Sequence, residues 1–173
     1  MTGQAEIPDP AAQVYATLDA LGIGYEVYRH PPVFTGEEAA EHWNGIAGAK
    51  VKNLFLRNKK GDRHYLVMLD IAKQADLREL VKVIGDDRLS FGSAERLMTH
   101  LGVTPGSVSP FGLIHDTQHA VRVIIDEDLR RAERLILHPN INTASVAVGA
   151  LEFERFLQAR GNVVRWVQIG QNS

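Results

Sequence analysis

Lys52 opens the apolar segment Lys52-Asn53-Leu54-Phe55-Leu56. An ammonium among neighbours bound for a core is costly unless it reaches a cleft or a partner. As a compact cation with three donors it suits a phosphate or an ester carbonyl. A second feature, Gly106-Ser107-Val108-Ser109-Pro110-Phe111-Gly112, can turn several backbone amides toward an anion or a developing oxyanion. Ser107 and Ser109 add hydroxyls, although such a composition equally suits a rigid connecting loop. A third is His138-Pro139-Asn140, where an imidazole at a junction between elements serves loop hydrogen bonding as readily as chemistry.

Charge adds a fourth feature. Between Lys50 and Arg63 lie Lys50, Lys52, Arg57, Lys59, Lys60 and Arg63 against one acid, Asp62. That is +5 in 14 residues of a chain whose total is −2, so the other 159 residues carry −7. A basic hairpin of this kind can meet a phosphate backbone. Its plain alternative is a solvated hairpin whose lysines blunt an edge strand.

Several chemistries drop out. The chain has no cysteine, which excludes thiol catalysis, thiolate metal sites and disulfides. There is no His-Glu-x-x-His, and the crowding of His115, Asp116 and His119 reads as a polar loop rather than a metal centre. No Gly-x-Gly-x-x-Gly or phosphate-loop motif and no serine–histidine–acid set can be made out, so no cofactor is expected.

The elements that must position these residues are read from spacing and punctuation. Asp9-Pro10 starts a helix carrying Val14, Leu18 and Leu21. Tyr25 to Tyr28 is a strand stopped by His30-Pro31-Pro32, and Thr35-Gly36-Glu37-Glu38 has capping-box spacing for a helix through Trp43. Val51 to Arg57 and His64 to Leu69 form a hairpin across Asn58 to Asp62. Helices follow at Asp76 to Ile84 and after Ser93, then the irregular Gly102 to Gly112 stretch and a buried strand, Ala120 to Ile125. Leu129, Ala132 and Leu135 predict a short helix ending near His138, followed by strand Thr143–Val148, helix Leu151–Ala159 and strand Val163–Ile169. Irregular interleaving with a hairpin indicates an α+β, or mixed α/β, fold in one domain spanning 1–173.

A length of 173 residues with 45% hydrophobic and 23% charged residues suits a globular domain with a real core. A net charge of −2 disfavours a protein coated in positive charge, but not a local basic patch. The first ten residues lack signal-peptide features, and no apolar run approaches the ~20 residues of a membrane span. The expectation is a soluble cytoplasmic protein with no membrane partner.

The order of these motifs resembles the YbaK/ProX family of aminoacyl-tRNA editing domains, free-standing relatives of the insertion domain of bacterial prolyl-tRNA synthetase. His30-Pro31-Pro32-Val33-Phe34, Lys52 to Leu56, Gly106 to Leu113 and Leu137 to Asn140 carry the likeness, which runs from about residue 10 to residue 168. It implies a small mixed β-sheet barrel flanked by helices, and hydrolysis of the ester joining a wrong amino acid to tRNA. The Lys-Asn-Leu-Phe-Leu form and the Gly-Ser-Val-Ser-Pro-Phe-Gly loop resemble the branch that removes alanine from prolyl-tRNA. Lys52 then corresponds to the essential lysine at the tRNA terminus, Gly106 opens the Gly-x-x-x-Pro loop closed by Pro110, and His138 is the pocket histidine that sets amino-acid size.

On this reading Lys52 and the backbone from Gly106 and Ser107 to Ser109 are catalytic, and Asn53, Ser109 and His138 line the pocket with Val33, Phe34 and Phe55 as walls. Lys50, Arg57, Lys59, Lys60 and Arg63 contact tRNA. The partners are the acceptor end of mischarged tRNA(Pro) and prolyl-tRNA synthetase. Two other readings remain open: a non-catalytic nucleic-acid-binding module using hairpin 50–63, and a small-molecule-binding protein of the same fold.

Overall fold

A computed structural model describes residues 9–33 and 36–170. Its elements are α1 (Pro10–Ala20), β1 (Tyr25–Arg29), α2 (Gly36–Trp43), β2 (Ala49–Arg57), β3 (His64–Asp70), α3 (Leu77–Ile84) and β4 (Ser90–Phe91). They continue with α4 (Ala94–Leu101), β5 (Val121–Asp126), β6 (Arg134–Leu137), β7 (Ala144–Gly149), α5 (Ala150–Arg160) and β8 (Val164–Val167). Tight 3-10 turns occupy Pro105–Ser107, Pro110–His115 and Glu127–Arg131.

The helix starts follow from side chains that take up otherwise orphaned amides. Asp9 accepts from the Ala11 amide at 3.0 Å ahead of Pro10. Asp76 and Ser93 do the same for Arg78 and Arg96. Helices α3 and α4 stop at Gly85 (φ 81°) and Gly102 (φ 65°), left-handed positions that glycine occupies without strain. The expected capping residue Thr35 lies outside the described residues.

Eight strands form one mixed sheet in the order β1-β7-β6-β2-β3-β5-β8, with β4 beside β2. The β2–β3 hairpin is antiparallel, whereas β6 joins β2, β5 joins β3 and β8 joins β5 in parallel. All seven strands of the path send side chains from one face into a single cluster. Val51, Phe55, Leu66, Met68, Val123, Leu135 and Val146 belong to it, with α1, α4 and α5 completing it. The mixed sheet flanked by helices is as expected, and its strand path is open, with β1 and β8 at its ends. The opposite face carries two smaller clusters. One lies under α3, around Leu56, Val67 and Ile124, and the other under α2, where Trp43 covers Ile136 and Ala147.

The helix expected over Leu129 to Leu135 is not formed. The 3-10 turn ends at Arg131, Ala132 is extended (φ −75°, ψ 139°), and β6 follows. The apparent helical spacing breaks because Leu135 and Leu137 enter the main core while Ile136 enters the cluster under α2. Alternating burial on two faces demands a strand. The short β4 was not anticipated either, two residues being too few to carry a pattern. Gly102 to Gly112, expected to be irregular, contains tight turns with Pro110, Phe111 and Gly112 buried.

Candidate active site

Strand registers bring distant residues into one row. Tyr28 pairs with Ser145, Leu137 with Val146, Lys50 with Ile136, and Lys52 with Leu69. The β2–β6 ladder ends at Lys50↔Ile136, so Lys52 and His138 each lie two residues beyond that last pair. Tyr28–Ser145 and Lys52–Leu69 are paired on the face that α2 partly covers, and the His138 ring joins this row beside Trp43 and His30, one residue past the end of β6. Lys52 sits where the two outer clusters meet. Among the described residues no carboxylate lies within ion-pair distance of it. Burial pulls its pKa down, and the Asp70 charge partly opposes this.

The Gly106–Pro110 segment is tied to the same place. Ser109 is fully buried, and its hydroxyl donates to the His138 carbonyl at 2.5 Å while accepting from the Phe111 amide at 3.1 Å. The Ser107 amide donates to the Thr104 carbonyl at 2.9 Å, so it is already used inside the turn. This removes one of the amides expected to hold an oxyanion. The amides of Gly106 and Ser109 have no such bond among the described residues.

The His138 ring has a defined proton. Its Nδ1 lies 3.2 Å from the Ala144 carbonyl, which can only accept, so Nδ1 carries hydrogen and Nε2 presents a lone pair. Burial lowers its pKa, the Ala144 bond opposes this, and neighbouring His30 lowers it further. Beside it stands a chain absent from the sequence reading. Trp43 Nε1 donates to the Ser145 hydroxyl, which donates to His30 Nε2 at 2.8 Å, and His30 Nδ1 donates to the Pro31 carbonyl at 2.9 Å. The rings gather closely, with centroids 5.5 Å apart for Trp43–His138, 6.2 Å for His30–His138 and 5.2 Å for His30–His42. The His-Pro-Pro motif marked this segment as a strand stop. Only the fold reveals that His30 and Ser145 share a bond.

Other expected site residues fall in different places. Val33 packs with Trp43, and Asn142 clasps it through Val33 N to Asn142 O at 3.2 Å and Asn142 Nδ2 to Val33 O at 3.1 Å. Phe34 lies outside the described residues. Asn53 and Phe55 project from the face of β2 opposite Lys52, as alternation requires. Phe55 belongs to the main core and meets His64 at 5.6 Å, so it is not a wall beside Lys52.

The basic hairpin is less positive than its composition. Arg63 holds Asp86 with two bonds at 2.8 and 2.6 Å, which neutralises it, and the Lys59 amide donates to Asp87 at 2.9 Å. The side chains of Lys59 and Lys60 remain exposed, and Lys50 shares the face of Lys52. Arg57 lies on the other face near Arg96 and Gly61. There burial, and after it the electrostatic influence of His100, Arg96 and Arg57, push the pKa of buried His64 down to about 4. No three potential metal ligands converge among the described residues. Asp116 instead accepts from the amides of Ala120 and Val121 and from Asn162. No described helix is long and apolar enough to cross a membrane.

Comparison with known proteins decides the family. The model of the aminoacyl-tRNA editing domain matches residues 30–156, which include every member of the row but Tyr28. The chain belongs to the aminoacyl-tRNA editing domain family. It is, accordingly, an aminoacyl-tRNA deacylase. It is 38% identical over 161 residues to the prolyl-tRNA editing protein ProX of Acetoanaerobium sticklandii, covering 93% of this chain and 98% of that protein. It is 32% identical over 155 residues to mouse prolyl-tRNA synthetase associated domain-containing protein 1, covering 87% and 91% respectively. A solved structure of a candidate trans-editing enzyme for prolyl-tRNA synthetase superposes with a TM-score of 0.70. At 24% identity, covering 95% of this chain and 100% of that one, it shares the fold.

Proposed function

We propose that this editing domain acts in trans on mischarged tRNA(Pro), removing alanine by hydrolysis of the aminoacyl ester. The observation that carries the reading is the β2–β6 pairing, from whose last pair Lys52 and His138 each stand two residues on, with Ser109 bonded to the His138 backbone. The names of the similar proteins support the choice of prolyl-tRNA.

An aminoacyl ester is activated already, so positioning and electrostatics suffice without a strong protein nucleophile. The Lys52 ammonium holds the terminal phosphate and the ester carbonyl. The Gly106 and Ser109 amides face the oxygen that gains charge. Water adds to the carbonyl carbon, the bond to the ribose oxygen breaks, and alanine and a free tRNA hydroxyl leave. Neutral His138, with Val33 and Trp43 behind it, limits pocket size. One methylene changes apolar affinity by only ~1–3 kcal/mol, so proline is kept out by lack of room. The side chains of Lys50, Lys59 and Lys60 accept the acceptor-stem phosphates. Prolyl-tRNA synthetase is the partner that delivers substrate, in the cytoplasm.

Purified protein is assayed against Ala-, Ser-, Cys- and Pro-tRNA(Pro). Ala-tRNA(Pro) is hydrolysed fastest and Pro-tRNA(Pro) is spared. Lys52→Ala loses at least ~100-fold in kcat/KM, as for other groups that stabilise developing charge, with its circular dichroism unchanged. Near-normal deacylation by that variant removes the mechanism. Salt-dependent RNA binding with no turnover of any aminoacyl-tRNA removes the function and leaves a binding module.

A further inference from the structure

Asn140 lies in the loop that joins β6 to β7, two residues beyond His138. It is 4% exposed, yet neither the nitrogen nor the oxygen of its carboxamide has a hydrogen-bond partner. Among the described residues, no other side chain leaves both a buried donor and a buried acceptor unpaired. Buried polar groups are nearly always satisfied, and an unsatisfied one points to a missing partner. The loop is not loose. Ser109 holds it at the His138 carbonyl, His138 Nδ1 holds it at Ala144, and Asn142 is clasped by Val33. Asn140 is thus fixed from both sides while its own side chain takes no part. Its backbone is left-handed (φ 63°), a conformation asparagine tolerates and most residues avoid.

A partner for this group needs an acceptor beside a donor. The edge of adenine offers that pair, and a bidentate asparagine–adenine contact is a standard mode of base readout. Single-stranded RNA ends are recognised by such edge contacts combined with stacking on aromatic rings. Rings are at hand, since His138 stands two residues away with His30 and Trp43 around it. The ester to be hydrolysed is carried by the terminal adenosine of tRNA, so its base must lie within a nucleotide of Lys52. We propose that Asn140 reads that terminal adenine. Its Nδ2 donates to a ring nitrogen, its Oδ1 accepts from the exocyclic amino group, and the base lies against the histidine cluster. The inference rests on the editing reading. Because the carboxamide is covered in the free protein, the base reaches it only as the Asn140 side chain turns outward, while the loop stays anchored at Ser109, Ala144 and Val33.

The test uses uncharged RNA minihelices with the tRNA(Pro) acceptor stem, ending either in adenosine or in purine riboside, which lacks the amino group. Binding by the wild-type protein and Asn140→Gly is measured at one salt concentration. Glycine keeps the left-handed backbone free of strain while deleting the carboxamide. Wild type binds the purine-ended RNA about ten-fold or more weakly, the usual effect of losing a bidentate base contact. Asn140→Gly binds both RNAs alike, and its melting temperature does not fall, because only unsatisfied groups were removed. Equal binding of the two RNAs by wild type, or undiminished discrimination by Asn140→Gly, overturns the inference. Hydrolysis of Ala-tRNA(Pro) without base discrimination removes this inference alone. Discrimination without hydrolysis removes the deacylation reading and leaves this one.

Discussion

His138 joins packing to chemistry through one proton. Its Nδ1–H is committed to Ala144, and burial, its first influence, keeps the ring neutral below its ordinary value of 6.5. The folded ring therefore takes up its second proton at a lower pH than a free histidine does. On the proposed reading, protonation below this lowered pKa adds a third cation to Lys52 and the ammonium of the aminoacyl group. The acid limb of deacylation that His138 governs accordingly has its midpoint below 6.5. The pH dependence of kcat/KM for Ala-tRNA(Pro) checks this, and a break at or above 6.5 counts against a buried neutral ring. At this scale legibility was uneven. Lys52 and His138 stand in motifs, and a lysine opening an apolar strand is conspicuous anywhere. Ser145 is an ordinary residue of a β-branched segment, and only its bonds to Trp43 and His30 mark it.

Among the elements, the β2–β3 hairpin is held by a single side chain. Asn58 is 1% exposed, and its Oδ1 accepts from the amides of Gly61, Asp62 and Arg63 at 3.0, 3.1 and 3.0 Å. Asn58→Ala leaves these amides without that acceptor and destabilises the protein by about 2 kcal/mol, whereas Asn58→Asp keeps the acceptor but loses the Nδ2 donor to Asp62 at 2.7 Å and so recovers only part of the stability. Urea denaturation of both variants measures the difference. The hairpin was readable because turn residues sit between two β-rich runs, and α1, α3 and α4 were readable from their caps. β6 was not, because Leu129, Ala132 and Leu135 mimic a helical stripe that only the two-sided burial of Leu135 and Ile136 resolves. Alternation alone separates Asn53 and Phe55 from Lys52, since adjacent strand residues face opposite ways. The charge count could not reveal that Asp86 takes up Arg63, because that contact is tertiary.

For the whole molecule, a buried ion cluster closes the far side of the sheet. Lys73 Nζ meets Asp126 at 2.8 Å, Asp128 at 2.6 Å and the Ile169 carbonyl at 2.6 Å, with Asp126 fully buried. It ties the connection after β3 to the end of β5 and to the C-terminal segment. Lys73→Met strands the Asp126 carboxylate and costs about 3–5 kcal/mol, while deacylation per folded molecule is retained. Thermal melting and activity of the soluble fraction together check this. A drop in activity with no loss of stability contradicts a purely structural cluster.

The row from Tyr28 to Leu69 also bears on how activity emerges during folding. Its members come from four strands and the end of a fifth, and the Lys52–His138 neighbourhood depends on a parallel pairing between segments far apart in the chain. Such non-local pairings form late, after the entropy of closing a long loop has been overcome. On the proposed reading, a nascent or partly folded chain can therefore hold its hairpin and helices before its hydrolytic centre has assembled.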